Sequence, residues 1–151
     1  MIMPNIIYEL LNGKNLEAKK NIVFIFQTIN IEGYPHTSML SVGEIIAVDM
    51  ENIRLALWPN TNTVQGLELN NKANLVFIYL YKVYYIELDI NKISSENKDF
   101  YDRAKFSGYI RNVKIDEVEY ADVTSGISIE LHNPNDVLSR WKHTLNNLLK
   151  D

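Results

Sequence analysis

The chain contains no cysteine. That absence excludes a disulfide framework, a thiolate zinc site, a cysteine nucleophile and a cysteine-ligated iron–sulfur cluster. Positive charge is also in short supply: 15 Lys and Arg residues face 19 Asp and Glu residues, for a formal charge of -4 and a pI near 5.4. Such a balance repels a polyphosphate backbone, so nucleic acid is not an expected partner. Long apolar runs are missing as well. The longest, such as residues 75–80, fall far below the roughly 20 residues that span a bilayer, and no membrane partner is expected. Residues 1–13 carry no basic residue ahead of their short apolar stretch and no small-residue cleavage signature, which predicts no secretory signal. No asparagine opens an Asn-x-Ser/Thr acceptor site. Cytoplasmic localisation is the resulting expectation.

Several catalytic signatures are absent too: Gly-x-Gly-x-x-Gly, the Gly-Lys-Ser/Thr phosphate loop, His-Glu-x-x-His and Gly-x-Ser-x-Gly. The three histidines, His36, His132 and His143, stand far apart without a second ligand at helix or strand spacing, which argues against a histidine metal site. Glu117 and Glu119 share one strand face, the ordinary arrangement of surface charge rather than an acid/base pair.

What is present is a single domain over residues 1–151, 46% hydrophobic and 23% charged, a soluble globular composition. Ile6, Ile7, Leu10 and Leu11 predict one short lid helix within residues 4–20, with Gly13 as a stop. Residues 21–29, with Ile22, Val23, Phe24, Ile25 and Phe26, are apolar on both faces and read as a central strand. Residues 36–48 form an extended stretch that should bulge or bend at Gly43. After a turn at residues 49–52, Ile53, Leu55 and Leu57 alternate with Arg54, Ala56 and Trp58 as a strand. Pro59 ends it, and Asn60, Thr61, Asn62 and Thr63 offer caps for a short helix to Asn71. Residues 73–90 give two strands with a tight turn near Lys82, and residues 94–107 suggest a further amphipathic helix. Residues 109–120 and 126–132 read as two more strands. Val137, Trp141, Leu145 and Leu148 mark a C-terminal helix capped by Asn135 and Asp136. The fold class is therefore mainly β with flanking helices, an antiparallel six- or seven-stranded barrel or sandwich whose apolar outer face packs on a second subunit.

The most informative segment for chemistry runs from Trp58 through Pro59, Asn60, Thr61, Asn62, Thr63 and Val64 to Gln65. A strand ends there and a helix begins. Its N–H groups, two hydroxyls and two amides suit a phosphate or carboxylate, although capping alone needs only one of those side chains.

The order of elements over residues 1–88, firmest from Thr61 through Asn74 to Phe77, resembles the split-barrel flavoproteins related to pyridoxamine 5'-phosphate oxidase. The resemblance implies a split β-barrel and an FMN held at a homodimer interface. Ser38, Met39, Leu40 and Ser41 would line the isoalloxazine, with Trp58, Pro59 and Asn60 closing over it. Thr61, Asn62 and Thr63 would hold the phosphate, helped by Lys82. On the residues alone, Met39, Leu40 and Trp58 serve equally as core and Lys82 as a turn residue in solvent. Asn62 and Thr63 stand where the family offers Arg and Lys, so charge-assisted bonds to the phosphate are missing and FMN affinity should be reduced. The implied function is a homodimeric FMN-binding oxidoreductase acting with a small-molecule substrate or electron donor, with no residue nominated as general acid or base. The alternative is a non-catalytic dimeric binding module for flavin, haem or another planar ligand.

Overall fold

In the computed structural model, which describes residues 1–151, seven strands form one antiparallel sheet. They are β1 (Phe24–Ile29), β2 (Pro35–Leu40), β3 (Ile45–Ala47), β4 (Asn52–Leu57), β5 (Lys72–Tyr79), β6 (Lys82–Lys92) and β7 (Ala104–Asp116). Four helices accompany them: α1 (Asn5–Leu11), α2 (Leu16–Lys19), α3 (Asn62–Asn70) and α4 (Pro134–Leu149). The strand order is β2-β1-β5-β6-β7-β4-β3.

That order forces the sheet to curl. β2 and β3 are consecutive in sequence yet occupy opposite edges. Five residue steps from Leu40 to Ile45 reach at most about 18 Å, whereas the edges of a flat seven-stranded sheet stand about 29 Å apart. Only a sheet rolled toward a barrel brings the edges within reach of the strap 41–44. A Cβ on Gly43, inside that strap, would lie 2.0 Å from Trp141 Cγ of α4, so the bend expected at Gly43 is a close crossing of strap and helix.

The concave side holds the core. Phe24, Phe26, Leu75, Phe77, Tyr84 and Ile86 point inward with almost no exposure, and Phe77 stacks on Tyr84 with ring centroids 5.0 Å apart. Ile7, Leu10 and Leu11 of α1 and Leu138, Trp141, Leu145 and Leu148 of α4 join the same cluster, matching the apolar stripe expected of the last helix. On the convex side the register aligns Met39, Ile25, Val76 and Tyr85 in one row across β2, β1, β5 and β6. β1 is paired on both sides, as its two apolar faces predict.

Several expectations fail. Residues 94–107 form no helix: residues 93–103 are irregular and β7 begins at Ala104. Asp99 accepts the backbone N–H groups of Tyr101 and Arg103, each at 3.2 Å, and Ser95 Oγ accepts that of Asn97 at 3.0 Å. These local bonds compete with helical ones. β7 consequently starts earlier than the strand expected at residue 109 and stops at Asp116. Residues 126–132 contribute only an isolated bridge between Ile22 and Ser128. The lid region is two helices rather than one, broken around Gly13. At α4 the cap position belongs to Asn133, without a side-chain bond, and not to Asn135 or Asp136.

Candidate functional site

Helix α3 begins where β4 stops. Thr61 takes the cap position in extended backbone; its Oγ1 accepts the N–H of Val64 at 3.3 Å and donates to the Trp58 carbonyl at 3.2 Å. The loop residue Asn60 takes φ +61°, a conformation asparagine tolerates better than most residues. With the Val64 N–H spent on the cap, those of Asn62 and Thr63, in the first turn, have no partner within the helix. α3 packs on β1 and β2. The contact is tight because Gly66 lies where a Cβ would come within 2.9 Å of the Ile29 carbonyl and of Thr28 Oγ1.

These bonds divide the residues expected at the phosphate. Thr61 is committed to capping on both sides of its hydroxyl. Thr63 is buried and Asn62 exposed, so the three side chains do not converge on one point. Lys82 stands apart: it opens β6 beside the turn at Leu80 and Tyr81, both at positive φ, and pairs with Glu117 at 3.1 Å. The opposite end of β6 is the one that reaches α3, through Lys92 bonded to Glu68 at 3.1 Å.

The expected ring-lining strand is more favourably placed. β2 pairs with β1 along one edge, and its other edge has no partner strand, leaving alternate backbone groups free for a ligand. Along it Met39 faces outward and is 59% exposed, while Leu40 is core. Ser38 is half-buried, its Oγ donating to the Phe26 carbonyl at 3.4 Å. Ser41 is buried; its N–H and Oγ donate to Glu44 Oε1 at 3.0 and 2.9 Å.

Glu44 leads to a group of residues that sequence reasoning missed. Burial pushes its carboxyl above the ordinary range, against the opposing pull of Ser41, Arg103 and Arg140. Arg103 lies under Trp58, its guanidinium carbon 4.4 Å from the ring centroid, and 5.3 Å from that of Tyr101. Trp58 itself is half-exposed, and Pro59 and Asn60 beyond it are exposed. Thus Ser41 and Trp58, distant in sequence, share one neighbourhood: Ser41 bonds Glu44, Glu44 feels the Arg103 charge, and Arg103 lies against Trp58. No local pattern announces this cluster; the only signal is that two of the four arginines, Arg103 and Arg140, occur in segments otherwise rich in aromatic and helical residues.

A shallow groove of about 630 Å³ on the convex face, bordered by Gln27, Asn74, Tyr85, Glu87, Arg111 and Lys114, adjoins the apolar row. It lies on the side of the sheet away from the core. No His, Cys, Asp and Glu group is arranged to hold a metal ion, and no helix is long and apolar enough to cross a membrane.

No protein-family model matches the chain. The protein YclD of Bacillus subtilis (strain 168), itself uncharacterized, is 41% identical over 146 residues, covering 97% of this chain and 95% of YclD. Among solved structures, a single-site variant of HupZ from group A Streptococcus is 13% identical with a TM-score of 0.59, over 77% of this chain and 100% of HupZ. A putative pyridoxamine 5'-phosphate oxidase from Lactobacillus delbrueckii is 12% identical with a TM-score of 0.58, over 75% of this chain and 93% of the other. The same architecture recurs at 0.53 in an FMN-binding protein from Syntrophomonas wolfei, 12% identical over 76% of this chain and 91% of that one. It recurs also at 0.53 in HutZ, the heme storage protein from Vibrio cholerae, 11% identical over 78% of this chain and 95% of HutZ. The chain belongs to one family with YclD and has the split-barrel fold of the pyridoxamine 5'-phosphate oxidase-like FMN-binding proteins.

Proposed function

We propose that the protein is a homodimeric flavoprotein that binds FMN along the free edge of β2 and passes electrons to or from a small molecule. The observation that carries this reading is that β2, an edge strand with unpaired backbone groups, packs on α3, whose start lies beside the half-exposed Trp58. A ring edge reads unpaired N–H and C=O groups as readily as another strand does, and the Asn62 and Thr63 N–H groups suit a phosphate. The flavin, when bound, would supply the redox chemistry. The chain's own part is to position the ring against β2, cover one side with Trp58 and limit water.

The fit is uneven, since Thr61 is occupied and Thr63 buried. That unevenness favours one second reading: a binding module for haem or another planar ligand without catalysis. The neighbour HutZ is a heme storage protein, and Asn62 and Thr63 bring no cation to the start of α3.

The test is titration of the purified protein with FMN, riboflavin and hemin, followed by visible absorbance. Flavin binding with bleaching by dithionite and recovery in air supports the first reading. Hemin binding without flavin binding supports the second, and binding of none of them overturns the first and removes haem from the second. Failure of NADH, NADPH and reduced ferredoxin to reduce a bound flavin would move the assignment from oxidoreductase to storage.

A further inference from the structure

Two arginines, Arg103 beside Trp58 and Arg140 on α4, hold buried guanidinium nitrogen without an acceptor. Arg103 is 7% exposed; one terminal nitrogen donates to Thr144 Oγ1 at 2.9 Å, while Nε is buried and unbonded. Nε of Arg140, on α4, is likewise buried and unbonded. A guanidinium carries five N–H donors and no acceptor, and burying such donors unpaired is costly.

The carboxylates around them do not fill this need. Glu44 takes the Ser41 N–H and hydroxyl, and Asp99 takes the N–H groups of Tyr101 and Arg103. Neither arginine has a carboxylate oxygen within the 4.0 Å of an ion pair. Arg140 lines a cavity of about 460 Å³ together with Phe100, Tyr101, Asp136, Ser139 and His143; Arg103 lies behind Tyr101, and the Asp136 carboxylate shares the wall without pairing with Arg140. Its two aromatic rings meet edge to face at 5.0 Å, and Phe100 is 87% exposed, open to a stacking partner.

We propose that Arg140, backed by the Arg103 guanidinium behind Tyr101, receives the oxyanion of a planar aromatic ligand laid against Tyr101 and Phe100. The forked guanidinium matches a carboxylate or phosphate, and the rings supply the stacking surface. Burial holds Arg103 below its ordinary value; Asp99 and Glu44 pull it up and Arg140 pushes it further down. An anion at Arg140 offsets the repulsion between the two cations and part of the cost of burying them.

Two molecules bring this chemistry. One is FMN through its phosphate, which rests on the flavin reading above and puts the phosphate at the arginines in place of the start of α3. The other is a free aromatic carboxylate, which does not. Calorimetric titration with benzoate against benzamide, and with FMN against riboflavin, separates them because each pair keeps its shape and changes the anion. In the wild type, the anion of at least one pair should bind about tenfold tighter or more than its neutral counterpart. That preference should fall below about threefold in Arg140→Gln and Arg103→Gln, and recover in part in Arg140→Lys. If Arg103→Gln fails to fold, Arg140→Gln, altered on a partly exposed face of α4, carries the test alone.

A preference confined to benzoate identifies a separate carboxylate ligand, and one confined to FMN identifies the flavin phosphate. Absence of discrimination in both pairs, or discrimination that survives the glutamine substitutions, overturns the proposal. FMN and riboflavin binding equally well, with no benzoate preference, overturns it and removes the phosphate from α3 as well, while leaving the flavin ring on β2. An arginine-dependent benzoate preference without flavin binding upholds it while ending that reading.

Discussion

Lys105 Nζ lies 2.7 Å from Asp151 Oδ2, with the two side chains only 6% and 2% exposed. This ion pair ties the start of β7 to the residues following α4. Asp151 Oδ1 accepts from Asn97 Nδ2 at 3.3 Å, and the Lys105 ammonium also donates to the Asn97 carbonyl and to Asn147 Oδ1. The irregular stretch ahead of β7 is thereby fastened in place. Removing the carboxylate leaves the Lys105 ammonium with only the neutral Asn97 and Asn147 acceptors, so Asp151→Asn should cost about 1 to 3 kcal/mol, read as a fall in the denaturant midpoint.

The pair also predicts a pH dependence. Burial by itself would raise the Asp151 carboxyl, but hydrogen bonds from Lys105, Ser95 and Asn97 together with the Lys105 charge more than reverse that and hold it below its ordinary value. A folded value below the unfolded one means that the contribution is complete above the unfolded carboxylate's pKa of about 3.9 and disappears as pH falls through the folded value. The wild type should therefore lose its advantage over Asp151→Asn on acidification. Parallel stability curves for the two proteins would contradict this.

Gly43→Ala places a methyl group inside the Trp141 ring. The strap 41–44 is short and cannot yield freely, so the substitution should destabilise by at least about 1 to 3 kcal/mol, the range for overpacking. Shrinking the obstacle with Trp141→Leu in the Gly43→Ala background should return part of the melting temperature. Additive losses in the double variant would show that the strap and α4 are not coupled.

At α3, Asn62 is exposed and Thr63 buried, so placing cations there should have opposite results. Asn62→Arg should fold normally and tighten FMN, but not riboflavin, in a salt-sensitive way. Thr63→Lys should lower the melting temperature because it forces an ammonium into the packed side of the helix. Thr61→Val should cost about 1 kcal/mol through the lost cap, whether or not flavin is present. An FMN affinity that Asn62→Arg leaves unchanged would remove the phosphate from this helix.

Light scattering should return twice the chain mass. The row Met39, Ile25, Val76 and Tyr85 is the convex apolar surface that a second copy would cover. Val76→Lys, in the middle of the row, should give a folded monomer with reduced FMN affinity. A dimer unaffected by Val76→Lys would place the interface elsewhere.

The parts of the fold readable from sequence are those whose signal is local. The periodicity of Val137, Trp141, Leu145 and Leu148 is enough for α4, and the alternation through Ile53, Leu55 and Leu57 for β4. Residues 94–107 mislead because Phe100, Tyr101, Ala104 and Phe106 satisfy a helical spacing, while what decides the segment is Asp99 capturing nearby N–H groups and β7 pairing with a distant β4. Of the candidate site, Trp58 and the Thr61 cap are legible from the strand-to-helix junction. The Glu44, Arg103 and Arg140 cluster is not, since its members are brought together only when the sheet curls and α4 docks.

The β2–β3 strap has a kinetic consequence. Joining the two sheet edges closes a loop of only four residues, 41–44, which is entropically inexpensive. The β4–β7 ladder, by contrast, joins Asn52 to Tyr109 and must await the intervening strands. The rate-limiting step of folding should therefore be the arrival of β7 at β4, not the closing of the barrel's seam. Substitutions in that ladder should slow refolding.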